Sequence, residues 1–208
     1  MNYPTHSVSG PLSVMNCRPV KVSAYGYRNR NHDDFFKNME FSNVIALFQM
    51  ENGAAVRIAE AREMQGNIGC DHEDFRIFGT RGSYSCLCWR DNGRIMPDGE
   101  VKPYQEVQYT ENELRVEKLP QEVADAFNRI LNKNAKPGDD FIPSGHGGSH
   151  PYLVHEFVSS VAENRTPAIT ARHAATYMAM GAAAHKSAMK DGEIVEVTDF
   201  GYASKASC

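Results

Sequence analysis

Residues 41–61 constrain the fold more than any other stretch. Phe41 to Met50 is apolar and rich in β-forming side chains, Glu51-Asn52-Gly53 follows, and Ala54 to Ala61 alternates with Val56 and Ile58 on one face. Asn-Gly between two such runs is the strongest short-range hairpin signal, because a tight turn needs the backbone freedom those two residues supply. A second strand pair is predicted around Gly79-Thr80-Arg81-Gly82, with Phe75 to Phe78 on one side and Ser83 to Trp89 on the other. Residues 94–118 read as short polar strands after the turn at Asp91-Asn92-Gly93.

Helical periodicity flanks this strand-rich middle. Val8, Leu12 and Met15 predict a short helix over Ser7–Asn16, capped by Ser7, with Pro11 near its first turn and Pro19 ending it. Val20 to Arg28 reads as a strand with Val20, Val22 and Ala24 on one face, and 29–40 as a polar loop. Pro120 to Asn132 carries Val123, Phe127, Ile130 and Leu131 on one stripe. Ser149 is the predicted cap of a helix whose buried face is Leu153, Val154, Phe157, Val158 and Val161. Thr170 caps a last, alanine-rich helix of about five turns, Gly192 stops it, and Ile194, Val195 and Val197 form a closing strand. The predicted class is α+β: an open, mostly antiparallel sheet with helices on one face.

The 208 residues suffice for one domain with its own core. A net charge of −4, from 22 basic and 26 acidic residues, argues against a dedicated nucleic-acid binder. No run is long and apolar enough to span a bilayer, and the start lacks a secretion-signal pattern. Five cysteines without a Cys-x-x-Cys point away from a disulfide framework or zinc knuckle, so the expected compartment is reducing, most simply the cytoplasm. No strand is followed by Gly-x-Gly-x-x-Gly, and no Gly-x-x-x-x-Gly-Lys-Ser/Thr occurs, so these residues carry no nucleotide-phosphate loop.

Two clusters could do chemistry. The first is Asn2-Tyr3-Pro4-Thr5-His6-Ser7. An imidazole titrates near neutrality, so His6 can take and give a proton, with the Tyr3 phenol one tight turn away. Thr5 and Ser7 could bond a polyhydroxylated ligand. The plain alternative is a histidine satisfied by a cap or by the backbone. The second cluster is Gly145-His146-Gly147-Gly148-Ser149-His150-Pro151, where glycines permit close backbone approach and a helix start offers free N–H groups. Such a stretch suits sugar hydroxyls or a carboxylate; it equally suits a flexible loop with an ordinary cap. The expectation is that the fold brings both clusters together as one wall of an active site. His146, His150 and His155 lack a recognised metal-ligand spacing, so no metal is expected. Tyr177, Gly181 and His185 share a face of the last helix, where packing is the expected role.

These motifs resemble a family when taken in order. Tyr-Pro-Thr-His-Ser at 3–7, Phe-Gln-Met-Glu-Asn-Gly at 48–53, Phe-Gly-Thr-Arg-Gly-Ser at 78–83, the Gly-His-Gly-Gly-Ser-His-Pro-Tyr-Leu-Val-His-Glu-Phe run at 145–157, Arg-Thr-Pro-Ala-Ile at 165–169 and the closing Ala-His-Lys-Ser-Ala before Gly-Glu-Ile-Val-Glu-Val are similar to the C-terminal domain of the glucose–fructose oxidoreductase / inositol dehydrogenase (Gfo/Idh/MocA) family. The resemblance covers almost the whole chain. It implies an open sheet whose exposed face builds homo-oligomers, a sugar or polyol substrate, and a histidine working on the substrate hydroxyl, where His6 stands. It also implies NAD or NADP held by an N-terminal Rossmann domain, which would leave these 208 residues as a single substrate-binding and oligomerisation domain that holds no cofactor by itself. As an enzyme part, the chain would line its sugar pocket with His146, Gly147, Gly148 and His150. Polyol dehydrogenases of the family carry an aspartate four residues before the histidine, where Asn2 stands here. The Tyr-Pro-Thr-His form is more similar to the branch containing NAD-dependent N-acetylgalactosaminidases, in which transient oxidation of the sugar lets the glycosidic bond leave by elimination. Two hypotheses follow: the substrate-binding part of an NAD(P)-dependent sugar oxidoreductase or NAD-assisted glycosidase, or a stand-alone domain that oligomerises or binds a sugar without turnover.

Overall fold

The computed structural model of the protein describes residues 1, 3–30, 32, 34–63, 76–80, 82–85, 88–91, 98–99, 105–109, 118–142 and 148–202. These form two compact units, residues 1–78 with 171–208, and residues 79–170.

In the first unit, helix α1 (Pro4–Met15) precedes strand β1 (Pro19–Tyr27), a 3₁₀ turn (Asp34–Phe36), and the hairpin β2 (Asn43–Met50) and β3 (Ala55–Ala61). Helix α4 (Ala171–Ala188) and strand β8 (Val195–Glu196) return to it from the chain's end. The sheet order is β3-β2-β1-β8, and its pairings are antiparallel. The hairpin forms as its sequence predicts. Gly53 takes φ 85°, its N–H donates to Met50 O at 2.9 Å, and Asn52 Oδ1 accepts from Ala54 N–H at 3.0 Å.

Strand alternation then sorts the side chains. Val44, Ala46, Phe48 and Met50 of β2 and Val56 and Ile58 of β3 face the core, together with Val22 and Ala24 of β1. Val8 and Leu12 of α1 and Tyr177, Met180, Ala183 and Ala184 of α4 cover them. The small residues let α4 lie close to the sheet, and Ser187 ties the two covalently distant parts. Its buried hydroxyl accepts from Ala24 N–H at 2.8 Å and donates to Glu193 O at 2.7 Å. Helices therefore cover one face of an open antiparallel sheet, the predicted α+β arrangement.

Several local expectations need correction. Helix α1 begins at Pro4, not at Ser7, with Tyr3 as its cap residue and Pro11 inside it. Proline at the first helical position is preorganised for that role and lacks an N–H that would be unsatisfied there. Val20 is only partly buried, because the β1–β2 register shifts between Pro19 and Lys21 and turns it away from the Val22–Ala24 row.

The second unit contains most of the sheet β4-β5-β6-β7, whose strands are Arg76–Gly79, Gly82–Ser85, Cys88–Asp91 and Gln105–Gln108. The single strand expected over Ser83 to Trp89 is instead two, with Tyr84 opposite Trp89 in an antiparallel pair. Cys88 is buried and unoxidised, while Cys86 lies outside the described residues. Of the polar strands expected over 94–118, Gln105–Gln108 is present and much of the remainder lies outside the described residues. Helix α2 (Gln121–Leu131) buries Ala124 and Asn128, so the predicted stripe is rotated and Ile130 and Leu131 are exposed. Asn128 acts as a plug for the loop after α2: its Nδ2 donates to Asp140 O at 3.0 Å and its Oδ1 accepts from Ile142 N–H at 2.8 Å.

Helix α3 (Ser149–Ala162) is capped by Gly148 at φ 84° with no side-chain cap bond, so Ser149 is not the cap. Its apolar stripe is also not buried. Leu153, Val154, Phe157, Val158 and Val161 are all exposed, and burial falls on Pro151 and Ser160. Periodicity marks the face that can be buried; it does not supply the partner that buries it. No helix among the described residues is long and apolar enough to cross a membrane.

Candidate functional site

The first cluster is held at the head of α1. Tyr3 stands immediately before the helix, and its carbonyl accepts from the backbone N–H groups of His6 at 3.1 Å and Ser7 at 3.3 Å, which closes the first turn. That turn brings the two rings together: the Tyr3 and His6 centroids lie 5.8 Å apart, edge to face at 83°. Thr5 Oγ1 is 3.4 Å from His6 Nδ1, so the hydroxyl donates when that nitrogen is bare. Tyr3 and His6 are both exposed, as a group that exchanges protons with a diffusing ligand must be. The phenol and imidazole expected to act together are thus neighbours. Asn2 lies outside the described residues.

What fixes this turn comes from β3 and α4. Glu60 is 6% exposed and aims its carboxylate at the helix start, where Oε1 accepts from Tyr3 N–H at 3.0 Å. Its Oε2 lies 3.3 Å from Ser7 Oγ, whose single proton is shared with Tyr3 O at 3.3 Å. An anion here also complements the positive end of the helix. Burial holds the Met1 ammonium below its usual value, and the Glu60 charge opposes that shift. Arg62, just beyond β3, stacks its guanidinium over the Tyr3 ring at 4.1 Å from the centroid. From the other side Pro4 packs on Gly181 of α4, where an added β-carbon would meet the Pro4 ring carbons at 2.6 Å.

Sequence reasoning missed Glu60 and Arg62. The signal was present in the hairpin's alternation, since Val56, Ile58 and Glu60 share one face by the period of two. A carboxylate continuing an inward-facing apolar row requires hydrogen-bonding partners inside. Gly181 was placed in a packing role, and it packs; so does Tyr177, at 4% exposed.

The second cluster belongs to the second unit. Gly148 is buried at the start of α3 and His150 is exposed on its first turn. His146 and Gly147 lie outside the described residues. Nearby, Glu156 is gripped by both terminal nitrogens of Arg165 at 2.8 Å and by Ala168 N–H at 2.7 Å, and these bonds lower its pKa to about 2. No three His, Cys, Asp or Glu side chains among the described residues gather to hold a metal ion. On the first unit a mainly apolar groove of about 420 Å³ opens along α4, lined by Ala175, Met178, Ala182, Lys186, Glu196 and Phe200 among others; Tyr3, Thr5 and His6 are not in its lining.

Residues 5–197 match the family model described as "Oxidoreductase family, C-terminal alpha/beta domain". No curated protein matches the sequence. Among solved structures, levoglucosan dehydrogenase in complex with NADH superposes with a TM-score of 0.57 at 16% identity, covering 88% of this chain and 46% of that one. An NAD-binding oxidoreductase from Klebsiella pneumoniae gives 0.59 at 14% identity over 94% and 49%, and an aldose-aldose oxidoreductase from Caulobacter crescentus complexed with glycerol gives 0.53 at 12% identity over 93% and 45%. These similarities are of fold, and the chain spans about half the length of the structures it matches.

Proposed function

The chain belongs to the Gfo/Idh/MocA oxidoreductases, matching their C-terminal domain, and we propose that it is the substrate-binding part of an NAD(P)-dependent enzyme acting on a sugar or polyol, either an oxidoreductase or an NAD-assisted glycosidase. The observation that carries this reading is the Tyr3–His6 pair, locked edge to face at an exposed helix start. In this reading His6 takes the proton of a substrate hydroxyl while hydride leaves the adjoining carbon for nicotinamide, and Tyr3 assists. Thr5 bonds substrate hydroxyls in the first unit; His146, Gly147, Gly148 and His150 are the substrate-binding candidates of the second. The nicotinamide dinucleotide is held by a part of the enzyme other than these 208 residues, since they contain no phosphate-binding glycine loop. Residues 1–208 then serve as one substrate-binding and oligomerisation domain, working in the cytoplasm.

The structural neighbours support the class: they include complexes with NADH, with L-sorbose, with levoglucosan and with glycerol. The test is a sugar and polyol panel with NAD and NADP, run on the protein translated from its whole coding region. His6→Asn is expected to lower turnover about a hundredfold or more with the fold retained, the range of general acid–base catalysis. Turnover unchanged by that substitution would remove His6 from the chemistry.

A second reading, a stand-alone oligomerisation or sugar-binding domain without turnover, is favoured by a different observation. The outer face of the first sheet presents Tyr25, Ile45 and Leu47 at 66%, 60% and 56% exposure. Turnover separates the two: activity of the full coding product fits only the first, whereas no binding of NADH by residues 1–208 in a nicotinamide fluorescence titration fits both.

A further inference from the structure

We propose that Glu60 and Arg62 are positioning residues that set the Tyr3–His6 pair from the neighbouring strand: Glu60 fastens the helix start from below and Arg62 holds the phenol ring from its face. The purpose assigned to the pair rests on the functional reading above; the clamp itself is a matter of geometry.

Glu60 sits two residues after Ile58 on the inward row of β3, opposite Val44 of β2. A buried carboxylate is tolerated where charge-assisted hydrogen bonds replace water. Here those bonds go to Tyr3 N–H at 3.0 Å and Ser7 Oγ at 3.3 Å, four residues apart and bracketing His6. Both oxygens of one planar group therefore grip successive turns of α1, which fixes the rotation of the helix about its axis. The backbone of His6, one residue from Ser7, cannot move off this turn without straining both bonds.

Arg62, the first residue past β3, has its Nε 4.0 Å from Glu60 Oε1. Its backbone is pinned as well, since Arg62 N–H donates to Asn43 Oδ1 at 2.6 Å. The Tyr3 ring has the guanidinium 4.1 Å from its centroid and the His6 ring centroid 5.8 Å from it. Glu60 and Arg62 thus place the phenol and the turn that carries His6 beside it.

The test is proton NMR of residues 1–208 with ¹³C-labelled histidine and tyrosine, reading the Tyr3–His6 ring-to-ring Overhauser contact. Wild type is expected to show it. Glu60→Leu should lose it while the β1–β2–β3 cross-strand contacts persist, and Glu60→Gln, which keeps an acceptor for Tyr3 N–H, should restore it. Arg62→Ala should lose it too, and Arg62 is exposed enough that this variant folds even if Glu60→Leu does not. A contact missing from wild type, or unchanged in Arg62→Ala or in a folded Glu60→Leu, overturns the proposal. The readout needs neither sugar nor nicotinamide, so a failed role for His6 in turnover leaves it standing. Equally, an unchanged contact beside a His6→Asn enzyme that has lost turnover sinks the clamp alone.

Discussion

Gly181 illustrates how a single missing side chain can place a site. Alanine there would gain roughly 1 kcal/mol of helix propensity. Its β-carbon, however, would stand 2.6 Å from two carbons of the Pro4 ring, which has no rotamer to escape into. Overpacking of this kind costs about 1–3 kcal/mol, so the clash wins. Gly181→Ala is expected to lower stability by up to about 2 kcal/mol on these two figures and to displace Pro4, with Tyr3 and His6 carried along. Urea unfolding with an unchanged slope, beside altered His6 ring shifts, would show both effects. Ser187→Ala should act through hydrogen bonds alone. It strands the Ala24 N–H and the Glu193 carbonyl, and a loss of about 1–3 kcal/mol is expected in the same assay. Charge supplies a third case. Glu156 is depressed from 4.5 to about 2 by its bonds to Arg165 and Ala168 N–H. A depressed carboxylate stabilises the fold above its unfolded value and loses that contribution as pH falls through the folded value. The window is therefore about pH 4.5 down to about 2. Carboxyl ¹³C titration should give a Glu156 midpoint near the lower end, and Arg165→Gln should move it back toward the upper.

At the scale of elements, what could be read from the sequence was whatever local chemistry determines. The β2–β3 hairpin followed from Asn52-Gly53, and its inward row from the period of two. Helices α1, α2, α3 and α4 followed from spacing, although α1 starts three residues earlier because Pro4 favours the first helical position. What local chemistry cannot determine is the partner of a face. The break between β5 and β6 was hidden inside an apolar run, and the rotation of α2 came from Asn128, whose amide organises a loop 11–14 residues away. The same limit applies to Glu60, legible as inward-facing but not as reaching across 57 residues to Tyr3. Helix α3 gives the sharpest contrast. Were its apolar stripe a core, Phe157→Ala would cost about 3–5 kcal/mol. With Phe157 63% exposed, the expected change is within about 0.5 kcal/mol. Thermal and urea unfolding of this variant, beside Phe48→Ala in the core, decides between the two figures.

The first sheet has a face of each kind, and the contrast bears on the whole molecule. Its inner face is closed by α1 and α4. Its outer face carries Tyr25 opposite Ile45, with Ala59 next across, and Ser23 opposite Leu47, with Arg57 beyond. Monomeric proteins rarely leave contiguous apolar patches of more than a few hundred Å² in water, and larger ones mark interaction sites. A patch shared by every copy of the chain can meet its own copy about a two-fold axis. Stable association of this kind takes about 800 Å² from each partner, more than two or three side chains provide, so the rows on β1, β2 and β3 must take part together. The expected outcome is therefore concentration-dependent dimerisation in sedimentation. Ile45→Lys combined with Leu47→Lys should yield monomers, because like charges would face each other across the axis. The substitutions fall on exposed positions, so folding stability should change by no more than about 0.5 kcal/mol each. A wild-type chain that sediments as a monomer at high concentration, or a double variant that still dimerises, would place self-association elsewhere than on this sheet face.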